Sequence, residues 1–176
     1  MKNTINRGVT LIELLIVIGI ISVLAVVMVT LINPAESGRK SRDAKRISDL
    51  STIKRAIDLA LADKQEFTAP GSFALGSTTD VTNIDSNGFD ISKYLPAIPQ
   101  DPSYGLGGSI NVVDNSCNYS SVGKNTMTYE LLTDSANNTY VLRTRFESKS
   151  NCSVMEYDGN GTSNYYELGN DPGLDL

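Results

Sequence analysis

An α+β chain is predicted, with a long N-terminal helix, transmembrane and then amphipathic, packed on a small antiparallel β-sheet. Three features of the 176 residues lead there. Val9 to Ile32 form a run of 24 residues whose only charge is Glu13. From Ile47 to Leu61 the apolar residues recur at three- and four-residue steps, the period of a helix with one buried face. Met127–Thr133 and Thr139–Phe146 are rich in Tyr, Thr, Leu and Val and flank a turn at Asp134–Asn138, which reads as paired strands.

The apolar run is long enough to cross a bilayer. At ~1.5 Å per residue it spans ~36 Å as a helix, against a hydrocarbon core of ~30 Å. A signal peptide has a shorter apolar core and a small-x-small cleavage site, which Asn33-Pro34-Ala35 does not supply. Lys2 and Arg7 precede the run and predict a cytosolic N-terminus with the bulk of the chain outside. Charge is unevenly spread along the chain. Residues 1–8 carry two bases and no acid, and 9–66 carry eight bases against seven acids. Residues 67–176 carry five bases against thirteen acids, an acidic part that would repel nucleic acid as a whole. Histidine is absent, which removes Ser-His-Asp and Cys-His nucleophile pairs and imidazole metal sites. No phosphate loop, nucleophile motif or metal-ligand cluster is present, and no enzyme is expected.

Glu13 is an acid inside an apolar run, and alone it reads equally as a snorkelling residue or as one with a charged partner. Its context is specific. Arg7-Gly8-Val9-Thr10-Leu11-Ile12-Glu13, followed by an apolar helix, resembles the N-terminal signal of type IV prepilins and type II secretion pseudopilins. The resemblance implies that residues 1–8 are a leader cut off in the cytosol by a prepilin peptidase. The cut would fall between Gly8 and Val9, with N-methylation of Val9 and Glu13 as the fifth mature residue. It further implies that Glu13 of one copy neutralises the Val9 amine of its neighbour in a filament. The chain departs from the family's commoner pattern in having Val9 in place of Phe or Met, and Thr30 where many type IV pilins carry Pro.

Asn33-Pro34 should interrupt the helix, and 33–66 should continue it in amphipathic form. Arg39-Lys40-Ser41-Arg42 with Lys45-Arg46 reads as the solvated flank of that helix, paired with Asp43 and Asp49, rather than as a DNA grip. Residues 67–108 are predicted to be mostly irregular, with one amphipathic piece near Ile91–Leu95. Tyr94-Leu95-Pro96-Ala97-Ile98-Pro99-Gln100-Asp101-Pro102 resembles a proline-rich connector of pseudopilin-type heads. Three prolines hold it extended, and its role is structural. Ile110–Val113, Ser153–Tyr157 and Asn164–Leu168 are further expected strands. Tyr140, Leu142 and Phe146 share one parity and Arg143 and Arg145 the other, so one sheet face should be buried against the helix. The domain division is then 1–8 leader, 9–66 helix (9–32 transmembrane) and 67–176 extracytoplasmic head.

Cys117 and Cys152 are the only cysteines, and both fall in the part predicted to lie outside. An even count in an oxidising compartment argues for a disulfide, the alternative being two thiols in a reducing host. Some major pseudopilins carry calcium in a late loop, which makes Asp158, Asn160, Asp171 and Asp175 candidate oxygen ligands. Against the EF-hand template the segment fails, since Gly169 stands where the bidentate acid belongs. A solvated acidic tail is the simpler reading, and no cofactor is expected. The resulting expectation is a filament subunit of a type IV pilus or pseudopilus, held in the inner membrane before assembly into an extracellular or periplasmic filament. Its partners would be copies of itself, related minor pilins, the peptidase, a membrane assembly platform and the lipid bilayer. The rival reading is a tethered extracellular binding module that uses 9–32 only as an anchor.

Overall fold

The computed structural model describes residues 8–31, 33–76, 89–105, 107–158, 164–171, 173 and 176. The chain divides into two compact units, Met1–Ser37 and Gly38–Leu176.

In the first unit, α1 runs from Leu11 to Leu31 and is apolar on every side. Its one mid-helix hydroxyl, Ser22, donates back to the Ile18 carbonyl at 2.6 Å and so hides its polarity within the helix. The stretch Leu11–Met28 is long and apolar enough to cross a membrane, and none of it is buried. A second helix, α2, begins at Pro34. Pro34 opens it rather than bending it, since the first helical position has no use for an N–H. The Asn33 side chain accepts from the Glu36 amide at 3.2 Å, which caps that start.

In the second unit, α2 continues to Ala62, short of the expected Glu66. Lys64 adopts φ 66°, and the Gln65 amide donates to the Ala60 carbonyl at 3.1 Å while the Lys64 amide donates to Leu61 at 3.0 Å. This is a Schellman ending built on lysine where glycine is usual, so no residue-type signal marked it. Leu50, Ile53, Ala56, Ile57 and Ala60 form the buried stripe of α2. They pack with Tyr129, Leu131, Tyr140, Leu142 and Phe146 in one core, so the expected helix-on-sheet layout is what the chain adopts.

The sheet has four antiparallel strands in the order β1-β4-β5-β6, namely Gly71–Leu75, Tyr129–Asp134, Thr139–Thr144 and Tyr166–Gly169. A separate hairpin joins β2, Ser109–Val113, to β3, Tyr119–Gly123. Tyr140, Leu142 and Phe146 are fully buried, as the parity required. Three expectations need correction. β1 lies in a stretch read as irregular; its Gly-Ser-Phe-Ala-Leu sequence has weak strand propensity and is recruited by pairing with β4. β3, also unforeseen, is rich in serine and follows a turn in which the Asp114 carboxylate accepts from the amides of Ser116 and Asn118. Ser153–Tyr157 is not a strand, because a short helix, α3, spans Cys152–Glu156. Its buried residues Cys152 and Met155 are three apart, a helical spacing.

Candidate functional site

Two places in the chain gather chemistry, one in each unit. The first is the start of α1. The Glu13 carboxylate accepts from the Thr10 amide at 2.8 Å and from the Thr10 hydroxyl at 3.0 Å, while Thr10 Oγ1 accepts from the Glu13 amide at 3.3 Å. This is a reciprocal capping box that satisfies donors an apolar helix start would leave bare. Its signal in the sequence is Thr followed three residues later by Glu ahead of an apolar run, a pattern that coincides with the family motif at Glu13. Gly8 and Val9 are exposed, and a side chain added at Gly8 would meet no atom within 4 Å. Among the described residues, no packing requires glycine at position 8.

The second place is a buried charge cluster on α2, and it corrects the reading of a solvated flank at Asp43 and Arg46, whereas Lys40 and Lys45 are exposed and Lys45 pairs with Asp49 as expected. Asp43 and Arg46 have no exposed surface. They lie on the same helical stripe as Leu50, Ile53 and Ile57, which is why the fold encloses them. Arg46 grips Asp101 with two nitrogens, Nε at 2.6 Å and Nη2 at 2.9 Å. It also donates to Asp43 at 2.8 Å, Glu147 at 2.6 Å and the Ser103 hydroxyl at 3.1 Å. Arg42 holds the far side of Glu147, with Nε 2.9 Å from Oε2. Asp43 accepts from the backbone amides of Glu147 and Ser148 and from the Asn151 side chain, each at 2.9 Å.

Two guanidiniums and three carboxylates thus join α2 to the proline-rich segment and to the chain beyond β5. Burial opposes the charge on Glu147, yet Arg42, Arg46 and Ser103 outweigh it and hold that carboxyl below the usual glutamate range. Burial raises Asp43 despite its donors. The donors and acceptors answer one another within the cluster, which makes it a clamp and leaves no group poised for proton transfer. The proline-rich segment has a position-specific task here: it presents Asp101 to Arg46. It is itself held by Gly76 at the end of β1, whose φ is +71°, because a Cβ there would stand 2.5 Å from the Pro99 carbonyl oxygen. Tyr129 donates to Asp49 at 2.7 Å and Tyr140 donates to Asp58, and burial pushes both phenols up.

Cys117 and Cys152 are joined, with Cα atoms 5.6 Å apart, linking the β2–β3 turn to α3. Of the calcium candidates, Asn160 and Asp175 lie outside the described residues. The Asp158 carboxylate accepts from the Glu167 amide at 2.8 Å, and Asp171 lies beyond the end of β6. Among the described residues, no group of three or more His, Cys, Asp or Glu side chains is placed to hold a metal.

Residues 4–29 match the prokaryotic N-terminal methylation motif, the prepilin-type signature of type IV pilins and pseudopilins. That signature, and the exposed apolar helix that lies largely within it, fit membrane anchoring and a structural subunit. No curated protein and no solved structure is significantly similar to the chain.

Proposed function

We propose that this chain is a subunit of a type IV pilus or pseudopilus-like filament. In this reading a prepilin peptidase cuts it between Gly8 and Val9 and Val9 is methylated. Residues 9–32 then hold it in the inner membrane with the N-terminus in the cytosol, until it polymerises through α1 with copies of itself and related subunits. The observation that carries the reading is a helix apolar but for Glu13 near its start, exposed throughout Leu11–Met28 and lying almost entirely within the methylation motif. Such a surface of large apolar side chains is stable only in lipid or against other chains. Lys2 and Arg7 on the short side support the orientation.

Glu13 takes two roles in turn. In the stored subunit its carboxylate is satisfied by Thr10 of its own chain; in the filament it neutralises the Val9 amine of a neighbour. Substitution at Glu13 separates these roles. Glu13→Gln keeps an oxygen for the Thr10 donors but loses the charge, whereas Glu13→Leu loses both. Both variants should be cleaved, methylated and membrane-resident, and both should yield few filaments, since an unpaired buried charge costs ~3–5 kcal/mol at each repeat. Mass spectrometry of the extracted protein reads the loss of residues 1–8 and the methyl group; shearing and microscopy read the filaments. An intact Met1 in cells with active peptidase would overturn the processing, and wild-type filament yield from both variants would overturn the charge pairing.

A further inference from the structure

A second surface, on the Gly38–Leu176 unit, has chemistry that the filament reading leaves unused. Tyr119, at the start of β3, is 39% exposed and is flanked by cations from two other parts of the chain. Arg39 of α2 donates to its hydroxyl at 2.9 Å and sets its guanidinium 5.0 Å from the ring centre. Lys149, in the turn before α3, places its ammonium 4.6 Å from the same ring. Lys40, beside Arg39, is exposed. This basic, aromatic patch sits on a unit whose residues 67–176 carry thirteen acids against five bases.

We propose that Tyr119, Arg39, Lys40 and Lys149 form a docking surface for the phosphate groups of anionic lipid in the leaflet that α1 leaves on its way out. The inference rests on the membrane-subunit reading above. Arg39 is the eighth residue after Leu31, where the apolar helix ends and, in that reading, the headgroup layer begins. Lipid phosphates are confined to that plane. An aromatic ring with a polar edge, set between cations, matches the headgroup layer, where tyrosine gathers at membrane interfaces and basic residues meet anionic lipid. Nucleic acid fits less well, because a long polyanion leaving the patch would run along the acidic remainder of the unit.

The chain contains no tryptophan, so Tyr119→Trp installs a single reporter at the patch. The mature chain is placed one copy per nanodisc, in phosphatidylcholine alone or mixed with phosphatidylglycerol. Stable incorporation tests the membrane reading separately from the patch. In phosphatidylglycerol discs the emission should shift to the blue and be quenched by headgroup-labelled lipid, and salt should reverse both changes. Each neutralisation, Arg39→Gln or Lys149→Gln, should lower the ratio of docked to undocked chain about fivefold. Where Tyr119→Trp disturbs folding, slower hydrogen exchange at 119–123 and 149–151 of the native chain in phosphatidylglycerol discs is the same test. Equal signals in the two lipids overturn the proposal, as does a shift produced by short duplex DNA in phosphatidylcholine discs and not by phosphatidylglycerol.

Discussion

Every large aliphatic side chain from Val9 to Met28 leaves half or more of its surface open, whereas Arg46, Asp43 and Glu147 in the other unit leave none. The ordinary arrangement of apolar inside and charge outside is inverted at both places, and for opposite reasons. The stretch Leu11–Met28 of α1 is not buried, so its apolar surface suits another medium. Asp43 and Arg46 of α2 are enclosed because two guanidiniums and three carboxylates satisfy one another. Exposure is thus informative only once the partners are known: bare apolar surface marks a missing neighbour, and buried charge marks a neighbour supplied from far along the chain.

The sharpest way to break this contrast is Arg46→Ala. It strips Asp101 and Asp43 of their guanidinium and leaves Glu147 with Arg42 alone, and the head should lose ~3–5 kcal/mol in denaturant unfolding of the detergent-solubilised chain. Arg46→Lys should fall between, since a single ammonium cannot reproduce the two-nitrogen grip on Asp101. An unchanged midpoint for Arg46→Ala would mean that these charges are solvated after all. Next in size is the Cys117–Cys152 link, which encloses 34 residues. Replacing both cysteines with serine should cost ~3–4 kcal/mol in the chain-entropy model, read in the same assay without reductant. Free thiols titrating on protein collected from the cell surface would show that the link is not formed there.

The acid response sharpens the comparison further. Glu147 is held below its unfolded value, so its contribution is present above an unfolded pKa of about 4.3 and is lost as pH falls through the lower folded value. Asp43, shifted upward, works in the opposite sense and offsets part of that loss as pH falls. Glu147→Gln should therefore flatten the decline in head stability below about pH 4, as followed by tyrosine fluorescence against pH. A slope identical to wild type would remove Glu147 from the account. The smallest effect belongs to the other unit. Thr10→Ala deletes the hydroxyl half of the capping box and should fray the first turn of α1 by ~1 kcal/mol, seen as faster hydrogen exchange at Leu11–Glu13 in micelles. The midpoint of head unfolding should not move.

What was legible in the sequence followed from period and composition. The apolar run, the stripe at Leu50, Ile53 and Ile57, and the β4–β5 hairpin each announce themselves within a dozen or two residues. What was missed depends on distant partners. β1 is a strand because Leu131 and its neighbours pair with it, and Arg46 is buried because Asp101 and Glu147 arrive from 55 and 101 residues away. Arg46 does stand on the apolar stripe, and an acid follows two fixed prolines at Asp101, but a charge cluster on a helix ordinarily marks a solvated face and so hides the pairing. Of the N-terminal site, Gly8, Val9 and Glu13 are legible as a motif, and the cap from Thr10 to Glu13 is masked by it, because the same glutamate serves both patterns.

The clamp also fixes an order of events. Arg46 cannot close on Glu147 until a further 101 residues have been made, which at ~5–20 residues per second takes about 5–20 s. Through that interval Arg46 has Asp43 of its own helix but not Glu147, and the sheet against which the stripe of α2 will pack does not yet exist. Contacts this distant in sequence close late and slowly. If residues 67–176 are exported as proposed, the delay keeps them threadable: the chain reaches the far side as a polymer and becomes a solid only when its last third has followed.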